Sequence, residues 1–265
     1  MDKDYKSINK KLWNDLTEVH IGSAFYDVPS FINGKTSLKG PELQLLGDLR
    51  GKKVLHLQCH FGMDSISMSR MGAKVTGVDL SDRAIEVAVD LSKDCKVDAQ
   101  FICSDVYDLV NHHKGQYDIV YSTYGTIGWL PDMDRWANVV HNYLKPGGRL
   151  ILIEFHPVIW MLSYDFKSID YSYFNIQPIE EISEGSYTDT EAPIKNPSIS
   201  WNHPIGEVQT ALLDSGLTID HFSEYDYSVY NCFENTVRLG EDRFQIKGLE
   251  GKLPMMYALS AVKPI

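Results

Sequence analysis

The 265-residue sequence has no apolar run near the ~20 residues that cross a bilayer, so no membrane helix is expected. Its start, MDKDYKSINKK, is polar and charged and has no signal-peptide core, so a cytoplasmic protein is expected. Cysteine is scarce. Cys59, Cys95, Cys103 and Cys232 are scattered with no C-x-x-C pair, which argues against a zinc site; a cytoplasmic location argues against disulfides. Basic clusters are missing too: the net charge is −11, whereas nucleic-acid binders draw most of their affinity from cations set against phosphates. DNA, RNA and anionic membranes are therefore not expected partners. The acidic balance favours solubility and names no substrate. There is no internal repeat and no low-complexity tract. Hydrophobic content is 43%, and the length suits one large domain or a domain with a cap.

The most informative stretch runs from Val54 to Ser81. VLHLQ is a short apolar run ending in the polar turn CHFG. MDSISMSRMGA has helical character and is closed by Gly72. KVTGVD is rich in β-formers and ends in Asp79. Strand, turn, helix and strand in that order make the front half of a nucleotide-binding α/β domain, whose ligand sits in the crevice beyond the strand ends. Asp79 lies about 20 residues past the turn, where such domains place a carboxylate for ribose hydroxyls.

What the turn lacks narrows the nucleotide. A dinucleotide fold needs G-x-G-x-x-G so that pyrophosphate can approach bare backbone. Here the window is Gln58, Cys59, His60, Phe61, Gly62, Met63, and only Gly62 remains. Gln58 and His60 stand where phosphate would need space. A ligand with adenine and ribose but no phosphate fits better, and S-adenosylmethionine is one.

Five segments, VLHLQCHFG, VTGVDLS, FICSDVYDL, YDIVYSTYGTIGWL and LKPGGRLILIEFHP, occur in the order and spacing of the class I S-adenosylmethionine-dependent methyltransferases. The chain resembles that family from about Trp13 to Lys263, and the variant HLQCHFG is similar to a poorly characterised bacterial subgroup acting on small molecules. The resemblance implies an α/β, Rossmann-like fold with a seven-stranded, mostly parallel sheet whose last strand is antiparallel. It also implies methyl transfer from S-adenosylmethionine to a small-molecule acceptor, releasing S-adenosylhomocysteine. The sequence departs from the family where His56 replaces the usual acid and where Gln58 and His60 replace glycines.

Residues 1–265 read as a single methyltransferase domain. Residues 1–40 form an N-terminal helix and lid segment, with Lys6–Glu18 helical and Ile8, Leu12 and Leu16 on one stripe beside Trp13. The segment 20–40 reads as a long loop, and Pro41–Leu49 as a helix. Ser81 is a natural N-cap for a helix carrying Ile85, Ala88 and Val89. DAQFICSD forms a third strand ending at Asp105, and YDIVYST a fourth. Asp132–Leu144 is helical, closed by the PGG turn, and RLILIEF reads as a buried parallel strand. Residues 157–200 form an aromatic-rich insertion or cap in which YSYFNIQPIEE and GSYTDTEAPI pair as a hairpin turning at EGS. Beyond them come a helix with Ile205, Val208, Leu212 and Leu213, a sixth strand in TIDHFSEYDY, and a last strand in LPMMYALSAVK.

Cofactor contacts are expected from Gln58, His60, Gly62, Asp79, Leu80, Ser81, Asp105, Val106, Ser122 and Tyr124. Asp79 would take the ribose hydroxyls, or else cap the following helix. Leu80 would pack on the adenine face. Asp105 and the Val106 amide would read the adenine edge, or else Asp105 is a solvated loop acid. Gln58 and His60 either hydrogen-bond the cofactor or fill the turn. Trp129, Trp160 and His203 are candidates for the acceptor pocket, against ordinary packing. Methyl transfer needs alignment and exclusion of water, and a base only if the acceptor must lose a proton. His156, just after the buried strand, is the first candidate base and His20 the second, each against a structural role. Glu154 either points away from the site or binds a substrate cation. Two rivals remain: an S-adenosylmethionine-binding protein without transfer activity, and a Rossmann oxidoreductase. A nucleic-acid methyltransferase suffers from the charge and from the lack of an N-P-P-Y or D-P-P-Y tetrapeptide after the fourth strand.

Overall fold

The computed structural model describes residues 4–265; the first three residues of the polar leader, on which the cytoplasmic expectation partly rests, lie outside the described residues. The chain order is α1 (Tyr5–Ile21), α2 (Val28–Ile32), α3 (Gly40–Leu46), β1 (Lys53–Leu57), α4 (Met63–Arg70), β2 (Lys74–Asp79), α5 (Asp82–Asp94), β3 (Ala99–Cys103), α6 (Leu109–His112), β4 (Tyr117–Thr123), α7 (Met133–Tyr143), β5 (Leu144–Phe155), β6 (Ile179–Glu184), β7 (Lys195–Ser200), α8 (Ile205–Asp214), β8 (Thr218–Tyr225), β9 (Thr236–Gly240), β10 (Arg243–Ile246) and β11 (Met256–Val262). Seven strands form one sheet in the order β3-β2-β1-β4-β5-β11-β8. Neighbours from β3 to β5 are parallel, and the last strand, β11, runs antiparallel to both β5 and β8.

The apolar run of β5 is continuous because both faces of the sheet are covered. Leu150 and Leu152 join one core with Trp136 and Val140 of α7, while Ile151 and Ile153 join another with Val54, Tyr121 and Leu46. Residues 150–153 are wholly buried. Local capping agrees with the tertiary arrangement. Ser81 accepts from Ala84 N–H at 2.9 Å, and Asp132 from Arg135 N–H at 2.9 Å, contacts each worth about 1 kcal/mol.

Several details differ from the sequence expectation. The PGG segment lies inside β5, which begins directly after α7 and whose pairing with β4 shifts register between Tyr117 and Ile119. The loop after α1 contains the short helix α2, started by Asp27 accepting from Ser30 N–H at 3.4 Å. Leu213 is 53% exposed and Ala211 takes its place in the core. The inserted hairpin exists as β6 and β7, but GSYTDTEAPI forms its connection rather than an arm. A second hairpin, β9–β10, occupies the aromatic segment before the last strand. No helix among the described residues is long and apolar enough to cross a membrane.

α1 ties distant parts together. Asn9 donates to Ile199 carbonyl oxygen at 2.7 Å and accepts from Ile199 N–H at 3.0 Å, docking the helix onto β7. Ser81 Oγ donates to Asn14 at 2.6 Å, docking it beside the start of α5.

Candidate functional site

A cavity of about 570 Å³ opens beyond the C-terminal ends of the parallel strands, the expected ligand crevice of such a sheet. Its nucleotide side is built from the turns after β1, β2 and β3, with Tyr5, Asn9 and Trp13 of α1 laid across it. Of the expected cofactor contacts, Gln58, His60, Gly62, Asp79, Leu80, Asp105, Val106 and Tyr124 line this one cavity.

Each has a local cause. Gln58 and His60 adopt φ values of 55° and 50°, so the turn passes through the left-handed region without glycine. Asp79 helps hold that turn: its Oδ2 accepts from His60 N–H at 2.7 Å and its Oδ1 from Ser81 N–H at 2.9 Å. A carboxylate has about four acceptor sites, so lone pairs remain for hydroxyls. Burial pushes the Asp79 carboxyl up to about 6, against three backbone N–H groups that pull it down. Gln58 donates to Thr126 carbonyl oxygen at 2.7 Å, and its own carbonyl oxygen has no partner. Gly62 has φ 80°, and a Cβ there would lie 2.6 Å from the Phe101 ring, so the glycine is required by close packing of α4 on the sheet. Three donors converge on Asp105 Oδ1: the N–H groups of Tyr107 and Asp108, at 2.9 and 3.2 Å, and Lys6 Nζ at 3.1 Å.

Four candidates do not line the cavity. Ser81 is fully buried, with its hydroxyl spent on the α5 cap and on Asn14. Ser122 pairs with Thr126 Oγ1 at 2.8 Å inside the core. His156 is a correction to the expected first base: its Nε2 meets Glu224 at 3.0 Å and its Nδ1 accepts from Val158 N–H at 3.2 Å, so the ring pins the chain as it leaves β5. His20 stands one residue behind the wall. Its Nδ1 lies 2.8 Å from His60 Nε2 and its Nε2 2.9 Å from Ser186 Oγ. Burial holds His20 down to about 3 and His60 well below the usual imidazole range, so both rings are neutral near pH 7. His56 is neutral for the same reason and bonds Ser65 Oγ at 2.8 Å.

The far side of the cavity lies beyond β4, β5 and β11. Trp129, Trp160 and His203 all line it. Trp129 meets Trp13 edge-to-face at 5.5 Å, and Trp160 is 40% exposed at the mouth. Both ring nitrogens of His203 are engaged, Nε2 with Leu130 carbonyl oxygen at 2.8 Å and Nδ1 with Glu207 at 3.0 Å, so neither is free to move a proton. Glu154 neither turns away nor awaits a cation. Its Oε2 accepts from Gly125 N–H at 2.6 Å and its Oε1 from Thr126 and Ile127 N–H at 2.6 and 3.1 Å, fixing the loop after β4 as a cavity wall.

The sequence reading missed Asp64, Glu42, Asn202 and Tyr257. Asp64 lines the cavity in the first turn of α4 and accepts from Ser37 Oγ at 2.6 Å; burial raises its carboxyl. Glu42 sits behind Tyr124, wholly buried, and burial pushes it up to about 8. A carboxylate just after Gly62, at a helix start facing the crevice, was a signal open to sequence reading; nothing local marked the other three.

Residues 54–148 match the family model of a methyltransferase domain. The ubiquinone biosynthesis O-methyltransferase of Bordetella avium is 31% identical over 105 residues, which are 40% of this chain and 43% of that protein. The chain thus spans less than half the length of that relative. Among solved structures, an S-adenosylmethionine-dependent methyltransferase from Mesorhizobium loti is similar at a TM-score of 0.56 and 20% identity, over 87% of this chain and 99% of that one. Magnesium protoporphyrin IX methyltransferase from Synechocystis PCC 6803, solved with bound S-adenosylhomocysteine, is similar at 0.54 and 16%, over 98% and 100%. These structural likenesses establish the fold, the Rossmann-like fold of class I methyltransferases.

Proposed function

We propose that this chain, whose residues 54–148 are a methyltransferase domain on the class I fold, transfers a methyl group from S-adenosylmethionine to a small-molecule acceptor and releases S-adenosylhomocysteine. The observation that carries the reading is a single cavity whose lining includes both strand-end acids and aromatic rings. Asp79 ends β2 and Asp105 follows the adjacent β3, while Trp129, Trp160 and Phe233 line the same cavity. The residues present fit the cofactor. Asp79 keeps lone pairs for the ribose hydroxyls, Asp105 and the Val106 amide match the adenine edge, and Gln58 offers an unpartnered carbonyl oxygen. Asp64, a carboxyl of the cavity lining in the first turn of α4, suits a cationic amino group. The lack of phosphate-binding glycines speaks against the oxidoreductase rival.

When bound, the cofactor supplies a methyl carbon already activated by its sulfonium. The chain's part is placement and exclusion of water. Glu154 holds residues 125–127 by their N–H groups, so Tyr124 and Trp129 on either side of them present fixed surfaces to the cavity. Trp13, laid over the nucleotide side by α1, and cavity-lining side chains of residues 157–200, among them Trp160 and Tyr187, cover the cavity. His203, the imidazole on the acceptor side, has both ring nitrogens engaged, so this arrangement suits a nucleophile that attacks without proton removal by that histidine.

Calorimetric titration with S-adenosylmethionine, S-adenosylhomocysteine and NAD, with Asp79→Ala alongside, tests the reading. Binding of the first two, absent for NAD and lost in the variant, is expected. A folded protein that binds neither refutes it. S-adenosylhomocysteine production with an acceptor then separates transfer from mere binding.

A further inference from the structure

Two cavity-lining side chains, Tyr257 at the start of β11 and Asn202 just after β7, are buried yet incompletely partnered. Tyr257 is 1% exposed and its hydroxyl has no partner. Asn202 is 3% exposed; its amide nitrogen donates to Pro157 and Ser172 carbonyl oxygens at 3.1 and 2.9 Å, which fixes the amide's orientation and leaves Oδ1 without a donor. Folded proteins seldom leave such atoms unpaired unless a water or a ligand completes them. Tyr257 stands away from the nucleotide side, since β11 lies beyond β4 and β5 from β2 and β3, and Asn202 is held to the chain leaving β5 by its bond to the Pro157 carbonyl. Aromatic rings line the same cavity: Phe155 meets Phe233 at 5.0 Å and Trp160 at 5.7 Å. Charge points the same way. Glu154, Glu181 and Glu234 line this side, and among the described residues no lysine or arginine lines the cavity. An anion entering here would lose its hydration and gain no countercharge.

Resting on the methyltransferase reading above, we propose that Tyr257 and Asn202 are specificity determinants for the acceptor. On this inference the acceptor is a non-anionic molecule with an aromatic body, whose hydroxyl or amine hydrogen is taken by Asn202 Oδ1 and whose heteroatom meets the Tyr257 hydroxyl. Phosphorylated and carboxylated acceptors are excluded.

Four ring compounds that differ in charge make the test: phenol, benzylamine, benzoate and phenyl phosphate. Their binding to the full chain is followed by saturation-transfer NMR, with and without S-adenosylhomocysteine. Phenol and benzylamine are expected to bind, and the two anions are not. Tyr257→Phe removes a hydroxyl that carries no bond within the protein, so its melting temperature and S-adenosylhomocysteine affinity should match the parent. Its affinity for phenol should fall about fivefold, the equivalent of one neutral hydrogen bond. Anions binding as well as phenol, no binding by any of the four, or an unchanged phenol affinity in Tyr257→Phe each overturn the inference. Failure of S-adenosylhomocysteine to bind is read separately and refutes the cofactor assignment, while the arms without it still report on the acceptor chamber.

Discussion

The raised Asp79 carboxyl makes cofactor affinity depend on pH in a defined direction. Only the ionised carboxylate accepts from both ribose hydroxyls; protonation puts a hydrogen on one oxygen and removes an acceptor. With the group at about 6, the ionised fraction is about 90% at pH 7 and about 10% at pH 5. Apparent affinity scales with the competent fraction, so the dissociation constant for S-adenosylhomocysteine should rise about tenfold from pH 7 to pH 5, roughly 1.4 kcal/mol. It should level off above pH 7. The neighbouring imidazoles are silent in this window, because burial holds His20 and His56 near 3 and His60 well below its usual range. Asp64 is also raised, so Asp79→Asn serves as the control: its binding should be weaker, and its pH dependence should lose the Asp79 component. Calorimetry at pH 5, 6, 7 and 8, with circular dichroism confirming the fold at each, is the assay. Equal dissociation constants at pH 5 and 7 in the parent protein would refute the reasoning, since a buried carboxylate that binds ribose cannot be indifferent to its own protonation.

Two further outcomes follow from burial and packing. Glu42 is wholly buried and held up to about 8, above its usual 4.5, so the folded protein binds the extra proton and stability falls as pH rises from about 4.5 through 8. The loss approaches at most about 5 kcal/mol above pH 8, and Glu42→Gln should abolish that part of the slope in urea denaturation at pH 6 and 9; an unaltered slope would remove Glu42 as its source. Gly62→Ala would place a methyl 2.6 Å from the Phe101 ring at φ 80°, so an overpacking cost of about 1–3 kcal/mol plus about 1 kcal/mol of left-handed strain should lower the denaturation midpoint, and a midpoint equal to the parent's would show that the ring can yield freely.

The Val54–Ser81 region was legible because its signals are local. β2 ends at Asp79, Ser81 caps α5, and β4 is Tyr117–Thr123, as the sequence patterns indicate. Periodicity and capping act within a few residues, so the strands and helices that carry Asp79 and Asp105 could be placed on an ordered sheet. The hairpin of residues 157–200 was legible as a hairpin but not in its register, since its arms carry polar and apolar residues without strict alternation. His156 was misread because a histidine after a buried strand looks the same in sequence whether it enters the crevice or turns to Glu224, and that carboxylate is 68 residues away.

The sequence alone therefore determined the order of the strands from β1 to β5 and the helices between them, the phosphate-free character of the turn and the acids at the strand ends, because backbone propensity, capping and strand length are written in neighbouring residues. Only the tertiary structure decided which side chains share a wall. Asn9 reaches β7 across 190 residues, His20 meets both His60 and Ser186, Glu154 gathers the N–H groups of a loop on another strand, and Tyr257 and Asn202 line one cavity with polar atoms unspent. Those meetings depend on burial and on the pairing of donors with acceptors across the whole chain, quantities that no window of sequence contains.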